Sequence, residues 1–150
     1  MGIGVAKFTD SPKQIYTWDQ KDKVISDIRA IKESNPSEPI NIVGHSYGGD
    51  TAFLVARDCE CEVNSLVTLD PVSWLTPDTS KPSNVSDWVN LIPAGDGYSF
   101  GDFLADIGGQ WGTQDDATNI MVPNSNHEDV EKMLNELKRR LPNIGNSIKE

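Results

Sequence analysis

The chain is poor in the groups from which small proteins build covalent or metallic staples: 150 residues carry two cysteines and two histidines. Cys59 and Cys61 are one residue apart. With a single residue between them, a bridge between the two is not expected. As half of a metal site the pair lacks companions, because neither histidine lies near it in sequence. Unbridged thiols suit a reducing compartment. Positive charge is also scarce, with 13 Lys and Arg against 23 Asp and Glu and a formal net charge of −10. That balance argues against a nucleic-acid partner and against electrostatic docking on anionic lipid. It leaves apolar binding of lipid tails untouched. No apolar run approaches the ~20 residues of a membrane-spanning helix. No basic start leads into an apolar core of the signal-peptide kind. The expected location is the cytoplasm, or outside the cell by a route without a cleaved signal.

A chain of this length can bury a core without staples, and the size prior is a single domain over residues 1–150. "GVAKF" and "KQIYTW" read as short strands around a "TDSP" turn. "DQKDKVISDIRAIKES" reads as a helix with Val24, Ile25, Ile28 and Ile31 on one face, capped by Asp19 or Asp22 and stopped at Asn35-Pro36. "PINIVGH" is a continuous apolar run of the buried parallel-strand kind. A mostly buried helix follows in "DTAFLVARD", then the strand "SLVTLD". After a polar loop over 71–87 come the strand "DWVNLIP", a Gly-rich excursion from Gly95 to Asp116, the strand "ATNIMVP" and the helix "HEDVEKMLNELKRRL". The end, "NIGNSIKE", reads as a loose tail. Alternating strands and helices predict an α/β layer fold with a mostly parallel sheet flanked by helices.

The stretch "NIVGHSYGGD" carries the chemistry. Gly44-x-Ser46-x-Gly48 sits between an apolar strand and a helix, the setting of a nucleophile elbow, in which a tight turn lifts a serine hydroxyl off the sheet end. An alcohol at its ordinary pKa needs a base. His45 adjoins Ser46 and should project elsewhere, as packing or polar support. His127, between the last strand and the last helix, lies at the carboxyl edge where parallel sheets meet their ligands. A carboxylate must orient the base. Asp70 closes the strand after the elbow helix, and Pro71 should hold it extended; Asp96, one strand later, is the rival. Asp70 is favoured because Asp96 lies between two glycines. The helix start directs the Tyr47 backbone N–H at the reacting centre as an oxyanion donor.

With these residues in hand, the chain resembles the α/β-hydrolase superfamily and, within it, lipases and related esterases. "NIVGHSYGGDTA", "VTLDPVSW" and "NSNHEDV" carry the resemblance, across roughly residues 40–130. The Leu-Asp-Pro one helix and one strand after the elbow is similar to neutral lipases, whose acid follows that strand. "GGDTA" and "IGGQWG" are similar to bacterial lipase-like proteins, some of them secreted antibacterial effectors. The superfamily usually has several strands before the elbow and a His-Gly oxyanion loop. Here about 40 residues precede the elbow and no His-Gly occurs. The resemblance therefore implies a small or truncated α/β-hydrolase fold, with Gly4 or Gly2 of "MGIGVAKF" in the place of that loop.

The expected activity is hydrolysis of carboxylic esters, with lipid acyl esters as the substrate class, through Ser46, His127 and Asp70. It calls for no metal and no organic cofactor. An acyltransferase or thioesterase would use the same three residues, and a binding module on a degenerate scaffold is the non-enzymatic alternative. Trp74, Leu75, Phe100 and Phe103 lie in segments that follow strand ends and are the expected apolar substrate-binding residues; ordinary core packing is the competing reading of that face.

Overall fold

The structure, a computed structural model, describes residues 2–7, 13–73, 79–95 and 109–148. A six-stranded sheet forms its centre. The strands are β1 (Gly2–Lys7), β2 (Gln14–Thr17), β3 (Ile40–His45), β4 (Val63–Leu69), β5 (Val85–Ala94) and β6 (Thr118–Pro123), in the spatial order β2-β1-β3-β4-β5-β6. From β3 to β6 the strands are parallel, while β1 runs antiparallel to both β2 and β3. Helices α1 (Lys21–Ser34), α2 (Tyr47–Asp58), α3 (Val130–Arg140) and the short α4 (Pro142–Gly145) flank the sheet. The mostly parallel α/β architecture expected from the strand–helix alternation is the one observed.

The parallel strands are nearly continuous apolar runs because both faces of the sheet are covered. Ile40, Ile42 and Leu66 pack with Val24, Ile25 and Ile28 of α1 and with Phe53 and Val55 of α2. Val67, Leu69, Val89, Leu91, Ile120 and Val122 pack with Met133 and Leu137 of α3. The carboxyl ends of four parallel strands therefore share one edge. Antiparallel β1 brings its amino end, Gly2, to that same edge.

Several local expectations need correction. Neither Asp19 nor Asp22 caps α1. Its N-cap is Gln20, whose Oε1 accepts from the Thr17 N–H at 2.8 Å instead of from the helix. Asp22 lies in the first turn, where its negative charge is favourable beside the positive end of the helix dipole. Helix α3 starts at Val130, three residues after His127. The tail is not loose: α4 folds it back, and Ile148, 6% exposed, joins the cluster under α3.

The largest correction concerns the cysteines. Cys59 and Cys61 form a disulfide with their Cα atoms 5.3 Å apart, and no described cysteine is free. The segment is not a strand. Cys59 is helical at φ −70°, and Glu60 turns left-handed at φ 55°. That reversal draws the two Cα atoms to a separation that a bridge can span. The thiol argument for a reducing compartment falls with it.

Candidate active site

The turn after β3 is held in a conformation that an L-residue seldom adopts. Ser46 sits at φ 59° and ψ −127°, which costs about 1–3 kcal/mol of backbone strain. Two hydrogen bonds hold it to the acid-bearing segment: the Ser46 N–H donates to Leu69 O at 3.1 Å, and Ser46 O accepts from the Val72 N–H at 3.1 Å. Close approach requires the flanking glycines. A Cβ on Gly44 would collide with the Gly48 carbonyl of α2, one on Gly48 with the Gly2 carbonyl of β1, and one on Gly49 would lie 2.7 Å from Pro71 Cβ. The start of α2 is thus wedged between β1 and the segment after β4.

Asp70 leaves β4 at φ 42°. This overturns the expectation that Pro71 holds it extended: Asp is among the few residues that tolerate the left-handed region. The bend is fastened by the Asp70 N–H, which donates to Leu91 O of β5 at 2.8 Å. It turns Pro71 onto Gly49 rather than onward along the strand.

His127 follows β6 in a loop that is self-fastened. The Asn126 N–H donates to Asp129 Oδ2 at 2.8 Å, the Glu128 N–H to Asn126 Oδ1 at 2.9 Å, and Ser125 Oγ to Val122 O at 2.7 Å. These short polar side chains compete with helix for the backbone groups, which is why α3 begins only at Val130.

The three turns meet in one hydrogen-bonded chain. His127 Nδ1 lies 2.6 Å from Asp70 Oδ2, and His127 Nε2 lies 2.9 Å from Ser46 Oγ. An ionised carboxylate can only accept, so Nδ1 carries the proton and Nε2 is left to accept from the serine hydroxyl. Ser46, Asp70 and His127 are 1%, 2% and 4% exposed. In such a medium each polar contact is stronger than in water and an unmet one is costly.

His45 does not face Ser46. Its Nε2–H donates to the His127 carbonyl at 2.6 Å, and the two imidazole rings lie 4.8 Å apart. Burial pushes the His45 imidazole down to about 4, outweighing the hydrogen bond to His127 O, which acts the other way. His45 is therefore neutral near pH 7 and acts as a fixed donor behind His127, the polar support expected of it.

Tyr47 opens α2 directly after Ser46. Gly4 lies inside β1, opposite Val43 of β3. Since Ser46 is three residues beyond Val43, Gly4 sits roughly 10 Å down the strand from it, and the structure does not bring the two together. Trp74, Leu75, Asp96, Phe100 and Phe103 lie outside the described residues. Two neighbours of the site went unnoticed in the sequence. Trp18, 48% exposed at the end of β2, places its ring 6.0 Å from that of Tyr47. Gln110 Nε2 donates to Asp70 Oδ2 at 3.0 Å. Their signals are long-range pairings that no local pattern announces. Among the described residues no three His, Cys, Asp or Glu side chains cluster as a metal site, and no helix is long and apolar enough to cross a membrane.

A turn-borne serine, a histidine after the last strand and an aspartate after an intermediate strand, all at one sheet edge, point to a fold family, and comparison agrees. The family model described as the alpha/beta hydrolase fold matches residues 7–145, so the chain belongs to that family. No match is found among curated proteins or among solved structures.

Proposed function

We propose that the chain is a serine hydrolase that cleaves carboxylic esters, with lipid acyl esters as its substrate class. The observation that carries this reading is the continuous hydrogen-bonded chain from Ser46 Oγ through His127 to Asp70. Ser46 Oγ attacks the ester carbonyl while His127 Nε2 takes its proton. Asp70 holds the required tautomer and stabilises the imidazolium. The Tyr47 N–H, at the positive end of α2, donates to the developing oxyanion. His127 then protonates the leaving alcohol, and water, activated by the same imidazole, releases the acid from the acyl-enzyme. Trp18, its ring 6.0 Å from that of Tyr47, offers exposed apolar surface at the start of α2, which suits an acyl or alkyl group. The disulfide suits an oxidising setting, which favours a location outside the cell.

The test is labelling with a fluorophosphonate probe together with hydrolysis of a graded series of acyl esters. The expected result is a single label on Ser46 and turnover that depends on acyl length. A protein left unlabelled at Ser46, or a Ser46→Ala variant that still hydrolyses the series, sinks the proposal.

A further inference from the structure

The segment Gly109-Gln110-Trp111-Gly112 has no role in the chemistry above, yet it is fastened to the acid turn along its length. The Ser73 N–H donates to Gly109 O at 3.2 Å, and the Trp111 N–H donates to Pro71 O at 3.0 Å. Gln110 forms an isolated antiparallel bridge with Val72. Trp111 Nε1 donates to Ser73 Oγ at 2.9 Å, and its ring meets Phe53 of α2 edge-on at 5.5 Å. Gly109 and Gly112 have φ of 83° and 65°. These left-handed corners bracket the two residues and suit glycine because other side chains are strained there.

The strap is anchored from below by polar residues that interrupt three apolar strands. Thr68, Asn90 and Asn119 occupy one register level across β4, β5 and β6. Trp88 Nε1 donates to Thr68 Oγ1, Thr68 Oγ1 to Asn90 Oδ1, and Asn90 Nδ2 to Asn119 Oδ1, at 3.0, 2.8 and 3.1 Å. Asn90 Nδ2 also reaches Gly112 O at 2.8 Å, and Asn119 Oδ1 accepts from the Gln114 N–H at 3.0 Å. Thr68 and Asn90 are wholly buried. Buried polar groups of this kind are tolerated only when satisfied, and here their satisfaction holds the far end of the strap at Gly112.

The geometry points to Gln110 as a positioning residue: its side-chain amide holds the Asp70 carboxylate in the orientation that His127 requires. Among the described residues the carboxylate accepts from two side chains, His127 Nδ1 at 2.6 Å and Gln110 Nε2 at 3.0 Å, both on Oδ2. A second donor restricts rotation about the Asp70 side chain. It also satisfies a carboxylate buried at a site with little water. The backbone of the strap places the amide, and the amide places the acid. This inference rests on the Ser46, His127 and Asp70 reading.

The test compares the wild type, Ser46→Ala, Gln110→Leu and Gln110→Glu. The readouts are the second-order rate of fluorophosphonate labelling, kcat and KM on 4-nitrophenyl butyrate from pH 5 to 9, and thermal midpoints. Gln110→Leu keeps the backbone bridge and deletes only the donor. It should slow labelling and kcat about tenfold, leave KM unchanged and leave the thermal midpoint close to wild type. Gln110→Glu can donate only when protonated, so its deficit should deepen as pH rises, a signature that a merely structural role would not produce. Wild-type rates and an unaltered pH profile in both variants overturn the inference alone. Failure of the wild type to label at Ser46 overturns the functional reading and this inference together.

Discussion

Helix α2 is bounded at both ends by residues held left-handed, Ser46 at φ 59° before it and Glu60 at φ 55° after it, and the two ends use that geometry differently. At the first end, three glycines let β1 and Pro71 close around the turn. The strain presents Oγ to His127. At the second end, the reversal brings two sulfurs together, while Asn84 Nδ2 donates to the carbonyls of Ala56 and Cys61 at 2.7 Å each. The Arg29 Nε–H reaches the Cys59 carbonyl at 3.3 Å. Those donors satisfy carbonyls that a helix terminus would otherwise leave unpaired. The same backbone device presents a hydroxyl to a buried imidazole at one end. At the other it closes a disulfide clasp among capping donors.

That contrast predicts that changes at the first end act on turnover and changes at the second act on stability. The largest effect belongs to Ser46→Ala, expected to lower kcat on the order of 10⁶-fold, because members of such a chain act as a unit. Its thermal midpoint should stay near wild type, and a tenth of wild-type turnover would be incompatible with the assignment. Asp70→Asn comes next. It preserves shape but lets the side-chain amide donate, favouring the wrong His127 tautomer, and should cost about 10⁴ in kcat. A mild effect would detach Asp70 from the chemistry.

A third effect is smaller and depends on pH. His45 is held at about 4 in the folded protein, against about 6.5 in an unfolded chain. Between those values the unfolded state binds the extra proton, so stability is lost as pH falls from 6.5 toward 4. The loss amounts to roughly 2–3 kcal/mol by pH 4.5. Urea midpoints at pH 7 and 4.5 should separate less in His45→Asn than in wild type, and an equal separation would contradict the burial argument. The smallest effect is at the far end of the helix. A loop of three residues constrains the unfolded chain little, and its loss costs about 1.5 kcal/mol by chain entropy. The double variant Cys59→Ala, Cys61→Ala should melt a few degrees lower with kcat within twofold of wild type. A large fall in kcat would mean that the two ends are not separable.

The parts of the molecule legible from sequence are those where local pattern and tertiary demand coincide. The segment Ile40–Val43, apolar but for Asn41, reads as a buried strand, and a small-residue turn between it and a helix leaves few conformations for Ser46. Asp70 and His127 could be found because each stands directly after an apolar run, at the edge where parallel strands all end. What escaped notice depends on a single unusual φ or on a distant partner. Glu60 gives no hint of a left-handed turn, so the turn that brings Cys59 and Cys61 together leaves no local signal. Asp70 was expected to be extended from the proline after it, whereas a hydrogen bond to β5 bends it. Gln110 lies forty residues from the carboxylate it touches, and Thr68, Asn90 and Asn119 look like blemishes in three apolar strands until their shared register is known.

The mutual hold of the turns at Ser46 and Asp70 has a consequence for exchange with solvent. The Val72 N–H is bound to Ser46 O, the Ser46 N–H to Leu69 O and the Gly49 N–H to Ser46 O, with Pro71 seated against Gly49. Neither turn can fray while the other stays closed, so deuterium should reach these amides through one cooperative opening. The most strained backbone in the site would then exchange as slowly as the strands beneath it.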